Sequence, residues 1–290
     1  MTPKLLIHGG AGLIESRDIT EKRYDKELKP IVKATYQVLL EYGARAAVLE
    51  GVRMMEDCSV FNAGYGSKLQ KDGEVRMSAA IMDSKSNKFS GVINIRNVRH
   101  PIDVADQLSK GRHTVLSGEQ ATEYARRKKI QYFNPIAPHR LKEYADKLSG
   151  DTGTVGVVAL DSNGLICAGT STGGIGYEIP GRVSDSATVA GTYASKHCAV
   201  SCTGRGEYIT SFALAAKVVT RVEDGVELNK AIQKAMQSAK KARYRMGLIA
   251  VDYYGNIVVG NGHDTKVLFA TYDGKKTETF YNLKNIALVV

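Results

Sequence analysis

Gly153-Thr154-Val155-Gly156 stands where the pattern of the chain changes. From about Ile130 up to Gly153, periodicity is lost, and Pro135, Pro138 and many charges read as a surface linker. From Thr154 to Leu160 the chain is rich in β-formers. Asp161-Ser162-Asn163-Gly164 then turns it, and Leu165 to Thr170 returns as a partner strand. Leu248 to Val251 and Ile257 to Val259, around Asp252-Tyr253-Tyr254-Gly255-Asn256, repeat that hairpin. Two helices are expected between the hairpins. Ile209, Phe212, Ala216 and Val219 line one; Leu228, Ile232, Ala235 and Ala239 line the other.

Upstream, Leu5-Leu6-Ile7 reads as a buried strand that stops at a glycine-rich turn, His8-Gly9-Gly10-Ala11-Gly12. Leu28, Ile31, Val32 and Leu39 fit one helical face, and Ala44, Val48, Val52 and Met55 fit a second. Phe61-Asn62-Ala63-Gly64-Tyr65-Gly66 is a loop, and Val75–Met82 and Lys88–Ile95 are paired strands. Pro101 suits the first position of a helix, and Ser117 with Gln120 makes a capping box for another running towards Lys129. The order is mixed α/β without strictly alternating βαβ units. That argues against a doubly wound nucleotide-binding fold and for strands packed between helical layers.

Composition narrows the class. The chain has 290 residues, 43% of them hydrophobic and 24% charged, which suits a globular protein with a real core. The net charge is +10, but the basic residues are scattered apart from Arg126-Arg127-Lys128-Lys129 and Lys240-Lys241. These runs read as solvated faces, and no nucleic-acid partner is expected. Four cysteines form no CxxC pair, which excludes the usual zinc spacing. The apolar run at the N-terminus is too short for a signal peptide, and no stretch approaches the roughly 18 apolar residues of a membrane span. A reducing cytoplasm and no membrane partner are the expectation.

The glycine-rich loops lack the Gly-Lys-Ser/Thr of a P-loop and the GxGxxG spacing of a dinucleotide site. Thr203-Gly204-Arg205-Gly206-Glu207 precedes a helix, so its amides can meet an anion, a carboxylate as easily as a phosphate, and a plain tight turn is the alternative. No histidine lies in an HExxH or GxSxG context, and His8 reads as a core or supporting residue. Hydroxyls are the unusual feature. Thr154, Thr170-Ser171-Thr172-Gly173-Gly174 and Thr203-Gly204 are each flanked by glycine, with Arg182 and Asp185 between the last two. Any one threonine is an ordinary strand residue; the combination is not.

At these residues the chain resembles the plant-type L-asparaginase and isoaspartyl-aminopeptidase family of threonine N-terminal-nucleophile hydrolases. His8 to Gly12, Phe61 to Gly64, Ala79 to Asp83, Gly153 to Gly156, Ser171 to Gly174, Gly181 to Val183, Ala190 to Ala194 and Ser201 to Gly204 come in the family's order across nearly the whole chain. The resemblance implies a single domain built as a four-layer αββα sandwich. It implies a cut between Gly153 and Thr154, giving an α-subunit, 1–153, and a β-subunit, 154–290, with a dimer of such αβ units as the assembly. A threonine hydroxyl needs a base, and the α-amine of a freed Thr154, with an ordinary pKa of about 7.7–8.0, is one on the same residue.

By the same resemblance, Thr172 bonds the nucleophile, and Thr203 and Gly204 supply the oxyanion hole. Arg182 grips the substrate α-carboxylate, Asp185 and Gly206 meet its α-amine, and Asn62 lies near the nucleophile. No cofactor is required; a structural sodium ion is implied on backbone carbonyls among Met55, Glu56, Cys58, Phe61, Ala63 and Tyr65. The implied activity is hydrolysis of β-aspartyl dipeptides and, secondarily, asparagine, both small-molecule substrates. A glycosylasparaginase-like amidase, for which Asp151-Thr152 offers a rival threonine, and an uncut binding protein are the alternatives. The chain departs from the family pattern at Ser78, Ser184, Ala187, Ala190 and Met246. It also carries Arg205 inside the Thr-Gly-x-Gly loop, where smaller residues are common, and Arg205 is expected to meet the carboxylate of the leaving group.

Overall fold

A computed structural model of the chain describes residues 1–11, 21–148, 153–280 and 287–289. Gly12 and the Asp151-Thr152 pair lie outside them. The first half contains β1 (Lys4–Ala11), α1 (Glu21–Tyr42), α2 (Ala44–Asp57), β2 (Met77–Asp83), β3 (Ser90–Ile95), α3 (Pro101–Ser109), β4 (Val115–Ser117), α4 (Gly118–Arg127) and α5 (Pro138–Ala145). The second half contains β5 (Val155–Leu160), β6 (Ile166–Thr172), a short 3-10 turn at Asp185–Ala187, β7 (Thr192–Ala194), β8 (Cys198–Gly204), α6 (Gly206–Phe212), α7 (Leu214–Glu223) and α8 (Leu228–Lys241). It ends with β9 (Met246–Asp252), β10 (Ile257–Asn261), β11 (Val267–Tyr272), β12 (Thr277–Phe280) and β13 (Ala287–Val289).

The strands form two sheets, an 8-stranded one in the order β12-β11-β1-β5-β6-β2-β3-β4 and a 5-stranded one in the order β13-β10-β9-β8-β7. Strand periodicity sends alternate side chains to opposite faces, and here both faces are covered. On β1, Leu5 and Ile7 pack under α1 and α2, whereas Leu6 points the other way. On β9, Leu248 and Ala250 pack under α7 and α8, whereas Ile249 and Val251 point towards the first sheet. Leu6, Val158, Ala168, Ile249, Val251 and Phe269 meet in the middle. Three apolar cores between four layers are the αββα sandwich, and each fully buried Leu, Ile or Phe contributes about 1.5–3 kcal/mol.

The two hairpins form where their turn residues put them. Asp161 Oδ1 accepts the amides of Asn163 and Leu165, at 2.9 and 3.0 Å, and Asp252 Oδ1 accepts those of Tyr254 and Asn256, at 3.0 and 2.9 Å. Among the described residues, no helix is long and apolar enough to cross a membrane.

Four local expectations are corrected. The glycine-rich run after Ile7 is no turn: β1 continues through it to Ala11, with a bulge between His8 and Ala11 against β11. Ser117 caps α4 by position but makes no side-chain bond there, so the capping box does not close. The stretch read as a linker holds α5, tied down by Arg140, whose Nε donates to the Gly66 carbonyl at 2.6 Å. The single helix expected over Ile209–Val219 is two, broken at Ala213, which sits left-handed at φ 50°, ψ 47°.

Candidate active site

The middle layer changes character at one end. Thr170 and Thr172 on β6 point the same way, as do Ser201 and Thr203 on β8, because each pair is two residues apart. Both rows face the space between the sheets. There Ser201 Oγ lies 2.9 Å from His8 Nε2 and 2.7 Å from Thr170 Oγ1, and Thr192 Oγ1 donates to the Ser186 carbonyl at 2.8 Å and lies 2.6 Å from Thr170 Oγ1. Burial pushes the His8 pKa down to about 3, so the ring is neutral and is no general base at ordinary pH.

Thr154 stands just before β5 at the mouth of this layer. Its Oγ1 is 3.0 Å from Thr172 Oγ1, which also accepts the Gly174 amide at 3.2 Å. Gly153 carries φ +103°, and a Cβ there would fall 2.6 Å from that of Asn62. Gly10, at φ +119°, would drive a Cβ to 2.8 Å from the Gly153 Cα. These are the close approaches that require glycine in β1, and they explain a strand that reads locally as a turn. Asn62 clamps the junction. Its amide donates to the Gly153 carbonyl at 2.9 Å, its carbonyl accepts the Gly173 amide at 2.8 Å, and its Nδ2 donates to the Gly174 carbonyl at 2.5 Å.

Among the described residues, the hydroxyl of Thr203, two residues after Ser201 on β8, and Asp185 Oδ2 are buried polar atoms without a hydrogen-bond partner. A buried polar group left unmet costs about 1–3 kcal/mol, so such atoms mark a place for a ligand. Burial pushes the Asp185 carboxyl up to about 7, with Arg182 opposing the rise. Ser184 Oγ donates to Asp185 Oδ1 at 3.4 Å and accepts the Ser186 amide at 3.2 Å.

Arg182 donates from Nη1 to Glu178 at 3.1 Å and from Nε to Glu207 at 2.8 Å. Burial alone would weaken its charge, but the Glu207 hydrogen bond and the Glu178 charge lift its pKa above the usual value. A Cβ on Gly206 would stand 2.7 Å from Arg182 Nη2 and 2.8 Å from Asp185 Oδ1, so glycine keeps open a small cradle between a cation and an anion. Glu178 is itself held by Gln70 Nε2 at 3.0 Å. Glu178, Gln70, the pairing of Glu207 with Arg182, and the place of Ser201 and Thr192 in the hydroxyl row are missing from the sequence pattern. Alternation of Ser and Thr on two facing strands is the one signal that points to the row.

Among the described residues, no three His, Cys, Asp or Glu side chains converge as a metal site. The loop expected to hold sodium uses its carbonyls internally: Met55, Glu56 and Cys58 accept the amides of Cys58, Tyr65 and Phe61. The place of a Gly66 Cβ lies 2.6 Å from the Phe61 carbonyl oxygen and 2.7 Å from that of Ser59. Two loop carbonyls thus converge on one point, and Ser59 is one that the sequence reading lacks. The Glu56 side chain is a structural tie, accepting Ser171 Oγ at 2.6 Å and the Ile102 amide at 3.3 Å.

A family model described as Asparaginase matches residues 1–151 and 135–281. An isoaspartyl peptidase/L-asparaginase of Synechocystis sp. is 42% identical, over 94% of this chain and 88% of that protein. A plant-type L-asparaginase of Pyrococcus horikoshii is 36% identical, over 92% and 95%, and an isoaspartyl peptidase of Escherichia coli is 35% identical, over 88% of each.

Proposed function

The chain belongs to the asparaginase family, and on that premise we propose that it cuts itself between Gly153 and Thr154 and then hydrolyses β-aspartyl amide bonds. Its substrates are β-aspartyl dipeptides and, secondarily, asparagine. The observation that carries this reading is the 3.0 Å hydroxyl pair of Thr154 and Thr172, together with the unmet Thr203 hydroxyl and Asp185 carboxylate oxygen.

In the cut, Thr154 Oγ attacks the Gly153 carbonyl carbon and its proton goes to the departing Thr154 nitrogen. The C–N bond breaks, and an ester joins Gly153 to Thr154. Water hydrolyses that ester, leaving a Gly153 carboxylate and a free Thr154 amine. The Asn62 amide, already 2.9 Å from the Gly153 oxygen, stabilises the charge that grows there.

In turnover, the Thr154 amine takes the hydroxyl proton while Oγ attacks the substrate's side-chain carbonyl carbon. Thr203 Oγ1 and the Gly204 amide receive the oxyanion. The proton passes to the leaving nitrogen, which departs as an amino acid or ammonia, and a β-aspartyl ester remains. A water, deprotonated by the same amine, attacks that ester; aspartate leaves and the Thr154 hydroxyl is restored. Arg182 binds the α-carboxylate through its unspent Nη2, and Asp185 with the Gly206 carbonyl binds the α-ammonium. An adjacent ammonium favours the charged Asp185, so substrate supplies what burial withholds.

A sodium ion on the carbonyls of Ser59 and Phe61, with others among Met55, Glu56, Cys58, Ala63 and Tyr65, would stiffen the loop that carries Asn62 and takes no part in either reaction. Two αβ units form the assembly in this reading. The working compartment is the reducing cytoplasm, where the free thiols of Cys58, Cys167, Cys198 and Cys202 persist. The test is aspartate release from a β-aspartyl dipeptide, its α-aspartyl isomer and asparagine. Wild type should cleave the first and third, and Thr154→Ala neither. Cleavage of the α-isomer alone, or full activity in Thr154→Ala, contradicts the reading.

A further inference from the structure

Arg205 is the side chain that the mechanism above leaves unused. It sits between the oxyanion donor Gly204 and the open cradle at Gly206, and its own amide is fixed by the Arg245 carbonyl at 2.9 Å. Its guanidinium lies over the Tyr208 ring, 5.3 Å from the centroid. Tyr208 stacks on Tyr244 at 4.6 Å with an interplanar angle of 8°, and Phe212 meets Tyr244 edge-on. A guanidinium resting on an aromatic stack keeps its charge and its planar fork of donors while losing little freedom on binding.

Its charge is not spent locally. Among the described residues its one carboxylate neighbour is Glu207, at 3.8 Å, beyond hydrogen-bond length, and that glutamate already receives Arg182 Nε at 2.8 Å. The Arg205 side chain is 43% exposed, against 10% for Arg182. Two cations therefore flank Gly206 in the chain's loop: a buried one, engaged by Glu178 and Glu207, and an exposed one whose guanidinium makes no hydrogen bond among the described residues. Asparagine carries a single carboxylate, which Arg182 meets. A β-aspartyl dipeptide carries a second, on the leaving residue. Thr203, at the reacting carbonyl in that reading, is two residues from Arg205, about 7 Å of extended backbone.

We propose, on the β-aspartyl reading above, that Arg205 held over Tyr208 is the binding site for the α-carboxylate of the leaving amino acid. It makes this chain selective for β-aspartyl dipeptides with a free C-terminus over C-terminally blocked ones and over asparagine.

The test compares kcat/KM for one β-aspartyl dipeptide, the same dipeptide as its C-terminal amide, and asparagine. Wild type should prefer the free acid over the amide by roughly tenfold or more, the scale of a hydrogen bond between charged groups. Arg205→Ala should bring that ratio close to one, and Arg205→Lys, which keeps charge but not the fork, should fall between. Tyr208→Leu should lower the ratio with Arg205 still present. Self-cleavage on a denaturing gel confirms that each variant folds. Equal rates on acid and amide in wild type, or an acid-to-amide ratio that Arg205→Ala leaves where it was, overturns the proposal. A wild type that hydrolyses none of the three overturns the β-aspartyl reading itself, a result distinguishable from the loss of selectivity alone.

Discussion

Replacing Asp185 by asparagine should make the protein more stable at pH 8 while disabling it. The Asp185 carboxyl is raised from 3.8 to about 7, by burial first, with Arg182 only partly countering it. At about 1.36 kcal/mol for each tenfold in proton affinity, the ionised form costs the folded chain about 4 kcal/mol relative to an exposed aspartate. The folded state binds this proton more tightly than the unfolded state. Asp185 therefore costs nothing below pH 3.8, where both states are protonated. The cost grows between pH 3.8 and 7 and is fully present above 7. Asparagine resembles the protonated form throughout. The stability advantage of Asp185→Asn should be near zero at pH 4 and approach about 4 kcal/mol at pH 8. Urea unfolding from pH 4 to 8 measures it, with Thr154→Ala in both chains so that each stays whole. An advantage that does not vary with pH, or a variant less stable than its parent at pH 8, refutes the reasoning. Turnover of the cut enzyme should meanwhile fall by about a hundredfold or more, because the substrate ammonium loses its counter-charge.

Thr203→Val removes the unmet hydroxyl while keeping its shape, and should lower kcat by about 10²–10³ with KM little moved; a change confined to KM argues against an oxyanion role. Gly10→Ala should slow the cut more than the fold, since its methyl would stand 2.8 Å from the Gly153 Cα, and a denaturing gel should show whole chain persisting where wild type has divided. Below pH 7, kcat/KM should fall more steeply than tenfold per pH unit. Two groups must shed a proton there, Asp185 raised to about 7 and the Thr154 amine at about 7.7–8.0. A limb of single-proton slope contradicts that pairing.

Elements whose local chemistry agrees with their place in the fold are legible in the sequence. The Asp161 and Asp252 turns, the α2 face of Ala44, Val48, Val52 and Met55, and Pro101 at a helix start are of this kind. The misses share a cause, in that a distant residue decides the local structure. Gly10 is a strand residue because Gly153 presses against it, and α5 forms in a polar stretch because Arg140 reaches the Gly66 carbonyl. Ala213 breaks a periodic helix with no glycine to announce it.

The site divides in the same way. Thr154, Thr172, Thr203, Arg182 and Asp185 lie in short recognisable runs, and the fold pairs Thr154 with Thr172 and sets Arg182 and Asp185 around Gly206. Glu178 and Gln70, which brace Arg182, are 108 residues apart, and His8 and Ser201 are 193 apart. Nothing in the neighbourhood of either partner announces the other. The departures are informative once placed. Ser184 Oγ donates to Asp185 Oδ1 at 3.4 Å, Ser78 Oγ accepts the Asn94 amide at 3.2 Å, and the Arg205 guanidinium lies over Tyr208.

The central claim is that Thr154 becomes a catalyst only as the first residue of its own chain. Intact mass spectrometry of freshly purified protein over time, with β-aspartyl dipeptide hydrolysis measured in the same aliquots, tests it most directly. Fragments ending at Gly153 and beginning at Thr154 should accumulate, and activity should rise in proportion to them. A whole chain already fully active at the first time point, or a junction elsewhere such as before Thr152, would contradict the account.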